Sequence, residues 1–135
     1  MDDTYQNNND YLDAVELGKL LHDHKGIDVV VMDMRPLGFW TDFFVIASVT
    51  SDTHLSGLER HIKEFARENG IEILHRSRKP EKDAEQHSDE WCLIDMGNIV
   101  IHLMSGKARS FFELERLWST ASLIYGAGTY SSKSS

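Results

Sequence analysis

The chain has 135 residues, 41% of them apolar, which is enough for one hydrophobic core and short of the length at which chains divide into domains. Fourteen basic residues against 22 acidic ones leave a net charge of −8 with the seven histidines neutral, which argues against a protein that coats nucleic-acid phosphates and favours a basic protein partner. A lone cysteine, Cys92, closes no internal disulfide, the start carries no signal- or transit-peptide pattern, and no run of eighteen apolar residues offers a membrane span, so a soluble cytoplasmic domain is expected.

Residues 1–9 are polar and unpatterned and read as a loose arm. Leu12, Val15, Leu20 and Leu21 then recur near a 3.6 period, with Asp10 as a cap and Gly26 just beyond the end, predicting a helix over 11–25. The β-branched run 27–34 predicts a strand closed by the turn residues Arg35-Pro36-Leu37-Gly38. Residues 43–49 are apolar on both alternating faces, as a strand covered on its two sides must be, and belong in the middle of a sheet.

Behind the capping residues Thr50-Ser51-Asp52, the positions Leu55, Leu58, Ile62 and Phe65 step by three, four and three, one buried helical stripe, and Asn69-Gly70 stops it. A weaker strand is expected over 71–75, followed by a solvated loop over 77–89. Two strands, 91–96 and 99–104, flank Gly97-Asn98, a pair suited to a two-residue hairpin turn. Phe111, Leu114 and Trp118 predict a third helix from about Ala108, and 119–135 thins into Gly, Ser and Thr as a fraying tail. The fold class is therefore α/β or α+β, a single domain over 10–118 with a mixed sheet of about five strands flanked by helices.

Chemistry is hard to find in this pattern. His22 and His24 point to different sides of a helix, His54 and His61 lie roughly 10 Å apart along one, and His61-Ile62-Lys63-Glu64 lacks the second histidine of the zinc-protease motif. No glycine-rich phosphate loop occurs. Asp33, Asp42 and Asp95 lie at strand ends, where carboxylates can hold magnesium, but no Asp-x-Asp pair sets two ligands on one face of a strand, and turn and cap roles suit them. Cys92 sits inside a strand and reads as a small core residue. The unusual feature is rings beside charge: Trp91 opens the hairpin, and 109–118 interleaves aromatic residues with both charge signs. Phe111, Leu114 and Trp118 share the stripe that docks a helix, whereas Phe112 and Glu113 point elsewhere and suit an interface.

Taken in order, the segment Thr41-Asp42-Phe43-Phe44-Val45-Ile46-Ala47-Ser48, the Ser51-Asp52 helix start, the hairpin from Trp91 through Gly97-Asn98 to His102, and the Arg109 to Trp118 stretch resemble the ribosomal silencing factor family, also called iojap-related proteins. The likeness spans about residues 10–118. It implies a topology similar to nucleotidyltransferases without known catalysis or cofactor. It further implies binding to the large ribosomal subunit through the ribosomal protein uL14, so that the small subunit cannot dock and translation is damped when nutrients are scarce. Under that resemblance the contact candidates are Trp91 and Leu93 on the hairpin, with Phe112 and Glu113 beside them. An acidic domain on an RNA-rich particle is attracted to a basic protein patch, which agrees.

The chain departs from the family pattern in reading Asp95-Met96-Gly97-Asn98 where Asp-x-Gly-Asp is usual, one negative charge fewer, in a longer segment over 76–89, and in the added tail. Two other expectations stay open: an adaptor in large-subunit assembly, and a divergent magnesium-dependent nucleotidyltransferase using Asp33, Asp42 or Asp95. Exposed rings on the hairpin could also pair two copies of the free protein.

Overall fold

The computed structural model describes residues 3–38, 40–78, 91–106 and 122–126. Helix α1 spans Asp3–Asp23, strand β1 Ile27–Asp33, β2 Phe43–Val49, helix α2 Asp52–Glu68, then β3 His75–Arg78, β4 Trp91–Asp95, β5 Ile99–Ser105 and β6 Ser122–Gly126. The sheet order is β3-β4-β5-β2-β1-β6. β2 and β5 run parallel, and the other neighbouring pairs are antiparallel, so the mixed sheet and the α+β class expected from the sequence are what the chain forms.

Strand β2 is buried at every position because it lies between β1 and β5 and is covered on both faces. One face carries the larger core, in which Ala14, Leu17 and Leu21 of α1 and Leu55, Leu58 and Ile62 of α2 pack on Val29, Val31, Phe43, Val45, Cys92, Ile94 and Ile101. The opposite face gathers Val30, Met32, Met34, Phe44, Ile46 and Val100 into a second cluster, with Leu37 and Leu93 at its margin.

Helix α2 keeps the predicted stripe and start: the Ser51 side chain accepts the His54 backbone N–H at 3.0 Å, and Gly70 beyond its end has φ +67°. The hairpin also forms as read, with Met96 N–H donating to Ile99 C=O at 2.9 Å and Gly97 at φ +93°, in the first central position where a type II′ turn wants glycine.

Four expectations differ from the structure. Helix α1 begins at Asp3, within the stretch read as a loose arm, since adding turns to a helix already docked costs far less than starting one. Its buried stripe is Ala14, Leu17 and Leu21, while Leu12 is exposed. The strand expected over 71–75 lies at His75–Arg78, taking in the first residues of the supposed loop, and a pairing partner in β4 sets that position. The tail supplies a sixth strand, β6, which pairs with the outer edge of β1. The third helix, with Phe111, Phe112, Glu113, Leu114 and Trp118, lies outside the described residues.

Candidate functional site: the hairpin face away from α1 and α2

Alternation along β4 sends Cys92 and Ile94 into the helix-covered core and leaves Trp91, Leu93 and Asp95 half-buried on the other face. Register then decides their company. Leu93 stands opposite His102, Asp95 opposite Val100 and Trp91 opposite Met104, and His102 stands beside Ile46 of β2. On the outer side, Leu93 pairs with Ser77 and Asp95 with His75 of the edge strand, both exposed. The two hairpin candidates are therefore neighbours on one face, grading from a buried apolar cluster at β2 to a solvated margin at β3. Phe112 and Glu113, the other two candidates, fall outside the described residues.

His102 is the residue on this face that sequence reasoning missed. It is 6% exposed, its ring meets the Phe44 ring edge-on at 4.8 Å, and its Nδ1 accepts the Trp91 indole N–H at 3.4 Å. With Nδ1 accepting, the ring proton sits on Nε2, which is buried and has no hydrogen-bond partner among the described residues. Burial pushes the imidazole down to about 4, so the ring is neutral at pH 7. A buried donor left unpaired costs about 1–3 kcal/mol. The register signal was present in the sequence, because a two-residue turn at Gly97-Asn98 sets Leu93 and His102 on one face.

The three magnesium candidates do not meet at one point: Asp33 and Asp42 both lie near the Arg35 guanidinium, and Asp95 stands on another face of the sheet. Asp33 pairs with Phe43 on the helix-covered face. Asp33 takes a bidentate bond from the Arg35 guanidinium, at 2.9 and 2.8 Å, and that contact holds its carboxyl below the ordinary value. Asp95 accepts the Gly97 N–H at 2.8 Å as a turn cap, the role its position suggested. Among the described residues no three His, Cys, Asp or Glu side chains are grouped to hold a metal.

The fold does bring together histidines that sequence kept apart, since His24 stacks on His61 with ring centroids 3.7 Å apart and planes 20° from parallel. Lone pairs lie in the ring planes, and nearly parallel planes at that spacing cannot meet at one ion. Cys92 is fully buried and its thiol is pushed up by burial, the inert state expected of a core cysteine. No described helix is long and apolar enough to cross a membrane.

Asn98, where the sequence departs from the Asp-x-Gly-Asp pattern, has a structural partner. Its Nδ2 donates to the Asp10 carboxylate at 2.7 Å and its carbonyl accepts the Asp42 and Phe43 N–H groups at 3.1 and 3.0 Å, so the hairpin turn is tied to α1 and to the start of β2. Burial, with Asp42 nearby, raises the Asp10 carboxyl above its usual range despite that bond.

Comparison with known proteins agrees with the fold and names the family. Residues 7–134 match the family model "Ribosomal silencing factor during starvation". A ribosomal silencing factor of Bacillus subtilis is 34% identical over 75% of this chain and 80% of its own length. The mouse protein named "Mitochondrial assembly of ribosomal large subunit protein 1" is 33% identical over 78% of this chain, which spans 45% of that longer protein. A crystal structure of a Bacillus halodurans protein superposes with a TM-score of 0.61 at 28% identity, covering 82% of this chain and 95% of that one. A match over nearly the whole chain, together with a relative one-third identical along most of its length, means that this protein belongs to the ribosomal silencing factor family of ribosome-associated translation regulators.

Proposed function

We propose that the protein is a translational repressor that acts without chemistry: it binds the large ribosomal subunit through uL14 in the cytoplasm and bars the small subunit by occupying the joining surface when nutrients are limiting. The observation that carries this reading is the family match over residues 7–134, and the hairpin face supplies a physical means. Trp91 and Leu93 stand half-buried side by side, an arrangement in which rings and branched chains fill pockets on a partner. The net charge of −8 steers the molecule away from RNA phosphates and toward a basic protein. Phe112 and Glu113 join that contact, the carboxylate meeting a lysine or arginine. In the free protein the same face can pair two copies until the ribosomal partner displaces one.

The test is sedimentation of purified small and large subunits with and without the protein. Joined ribosomes should fall as the protein rises, with the protein travelling on the large subunit. Equal joining with the protein still bound would overturn the blocking mechanism.

The name of the mouse relative favours one further reading, an adaptor in large-subunit assembly that uses the same surface. Depleting the protein from cells would then accumulate large-subunit precursors, whereas a pure repressor leaves the precursor pool unchanged and only raises joining.

A further inference from the structure

A histidine is an expensive choice for the middle of an apolar sheet face. Its neighbours across the strands are Leu93 and Ile46, and one of its two nitrogens, Nε2, is buried with nothing to donate to among the described residues. A phenylalanine would keep the edge contact with Phe44 and bury no polar atom. What phenylalanine cannot supply is the lone pair at Nδ1 that accepts the Trp91 indole N–H.

We propose that His102 is a positioning residue of the docking face: through Nδ1 it holds the Trp91 indole in the orientation that the ribosomal partner meets. The inference rests on the reading of Trp91 as an anchor and deepens it. A half-exposed indole turns about two side-chain torsions, and fixing them when the partner arrives subtracts from affinity. An acceptor within the sheet fixes them during folding instead. The device works only with a neutral ring protonated at Nε2, because an imidazolium has no acceptor and the other tautomer presents an N–H to the indole N–H. The surroundings keep the ring in that state, since Phe44 and Trp91 pack against it and among the described residues no carboxylate acts on it.

The experiment uses the full chain and purified large subunits. Long-range nitrogen–proton NMR spectra of the unaltered protein at pH 7 should show His102 as the Nε2–H tautomer. Finding the Nδ1–H tautomer or a charged ring would overturn the proposal. In binding measurements His102→Phe should weaken association about tenfold with its amide spectrum still that of a folded protein. His102→Asn, whose side-chain oxygen can stand where Nδ1 stood, should recover most of that loss.

Wild-type affinity in His102→Phe, or an asparagine variant as weak as the phenylalanine one, would overturn the positioning role. Trp91→Ala separates the two levels. If it binds as the unaltered protein does, the docking reading itself falls. If it loses binding while His102→Phe does not, only the positioning role falls. Should the phenylalanine variant fail to fold, the tautomer in the unaltered protein and the affinity of the asparagine variant decide the matter.

Discussion

An uncharged imidazole inside a sheet face couples the stability of this protein to pH. The folded ring titrates near 4, whereas an unfolded histidine titrates near 6.5. Between those values the unfolded chain binds a proton that the folded one refuses, so stability is complete above about pH 6.5 and falls as pH drops, by about 1.4 kcal/mol per pH unit and roughly 3 kcal/mol across the window. Asp10 and Asp13, both raised by burial, act with the opposite sign near the carboxylate range. Urea unfolding from pH 7.5 to 4.5 should therefore be compared between the unaltered protein and His102→Phe, where the difference isolates the imidazole. A variant as acid-sensitive as its parent would contradict a neutral buried ring.

Two other residue-level outcomes follow from the same face and its turn. Trp91→Ala should weaken large-subunit binding by about 2 kcal/mol, near thirtyfold, if the indole is a buried anchor in the complex; titration of labelled protein onto subunits measures it. Asn98→Asp replaces the donor to Asp10 with a second carboxylate, which should cost about 1 kcal/mol at pH 7 and less as acid neutralises the Asp10 carboxyl. Thermal unfolding at pH 7 and pH 4 checks the sign. The sequence showed that Asn98 suits a turn; the contact with Asp10, 88 positions away, depends on how α1 docks.

At the level of elements, α2 is fastened to the edge of the sheet by charge as well as by its apolar stripe. Arg76 and Arg78 alternate onto the helix-covered face of β3 and bond Glu59 and Asp52, two acids seven positions apart and so on one side of α2. The two pairs differ in surroundings: the Glu59 side chain is 6% exposed, that of Asp52 51%. Arg76→Ala strands a buried carboxylate and should destabilise by about 2 kcal/mol or more, while Arg78→Ala frees an exposed one and should cost under about 1 kcal/mol. Denaturant midpoints that reverse this order would refute the burial argument.

None of this was legible beforehand, because a strand of alternating Arg and Ser carries no apolar rhythm and takes its place only from its partner β4. Elements with their own periodicity, α2, β2 and the hairpin, could be read directly. β6 was missed although Leu123-Ile124-Tyr125 is a short apolar run, because its flanks resemble a tail and its reason to be a strand is the edge of β1, some 90 residues earlier.

For the whole molecule, the question is whether charge or shape brings it to its partner. A net charge of −8 on 135 residues produces a field that repels the bulk of an RNA-rich particle and is felt by a basic protein patch within about a Debye length, roughly 10 Å near 0.1 M salt. In the proposed docking, half-buried Trp91 and Leu93 would instead act at contact, where desolvation sets how long a complex lasts. The two contributions should therefore separate by kinetics. Raising monovalent salt from about 0.05 to about 0.3 M at fixed magnesium should slow association with large subunits about tenfold and change dissociation by less than about twofold, because screening removes steering and leaves the buried contact in place. Association that quickens with salt would mean that repulsion from RNA dominates the approach and that no basic patch guides it. Dissociation that quickens as much as association slows would mean that the bound state is held by exposed ion pairs, and Trp91 and Leu93 would lose their place as anchors.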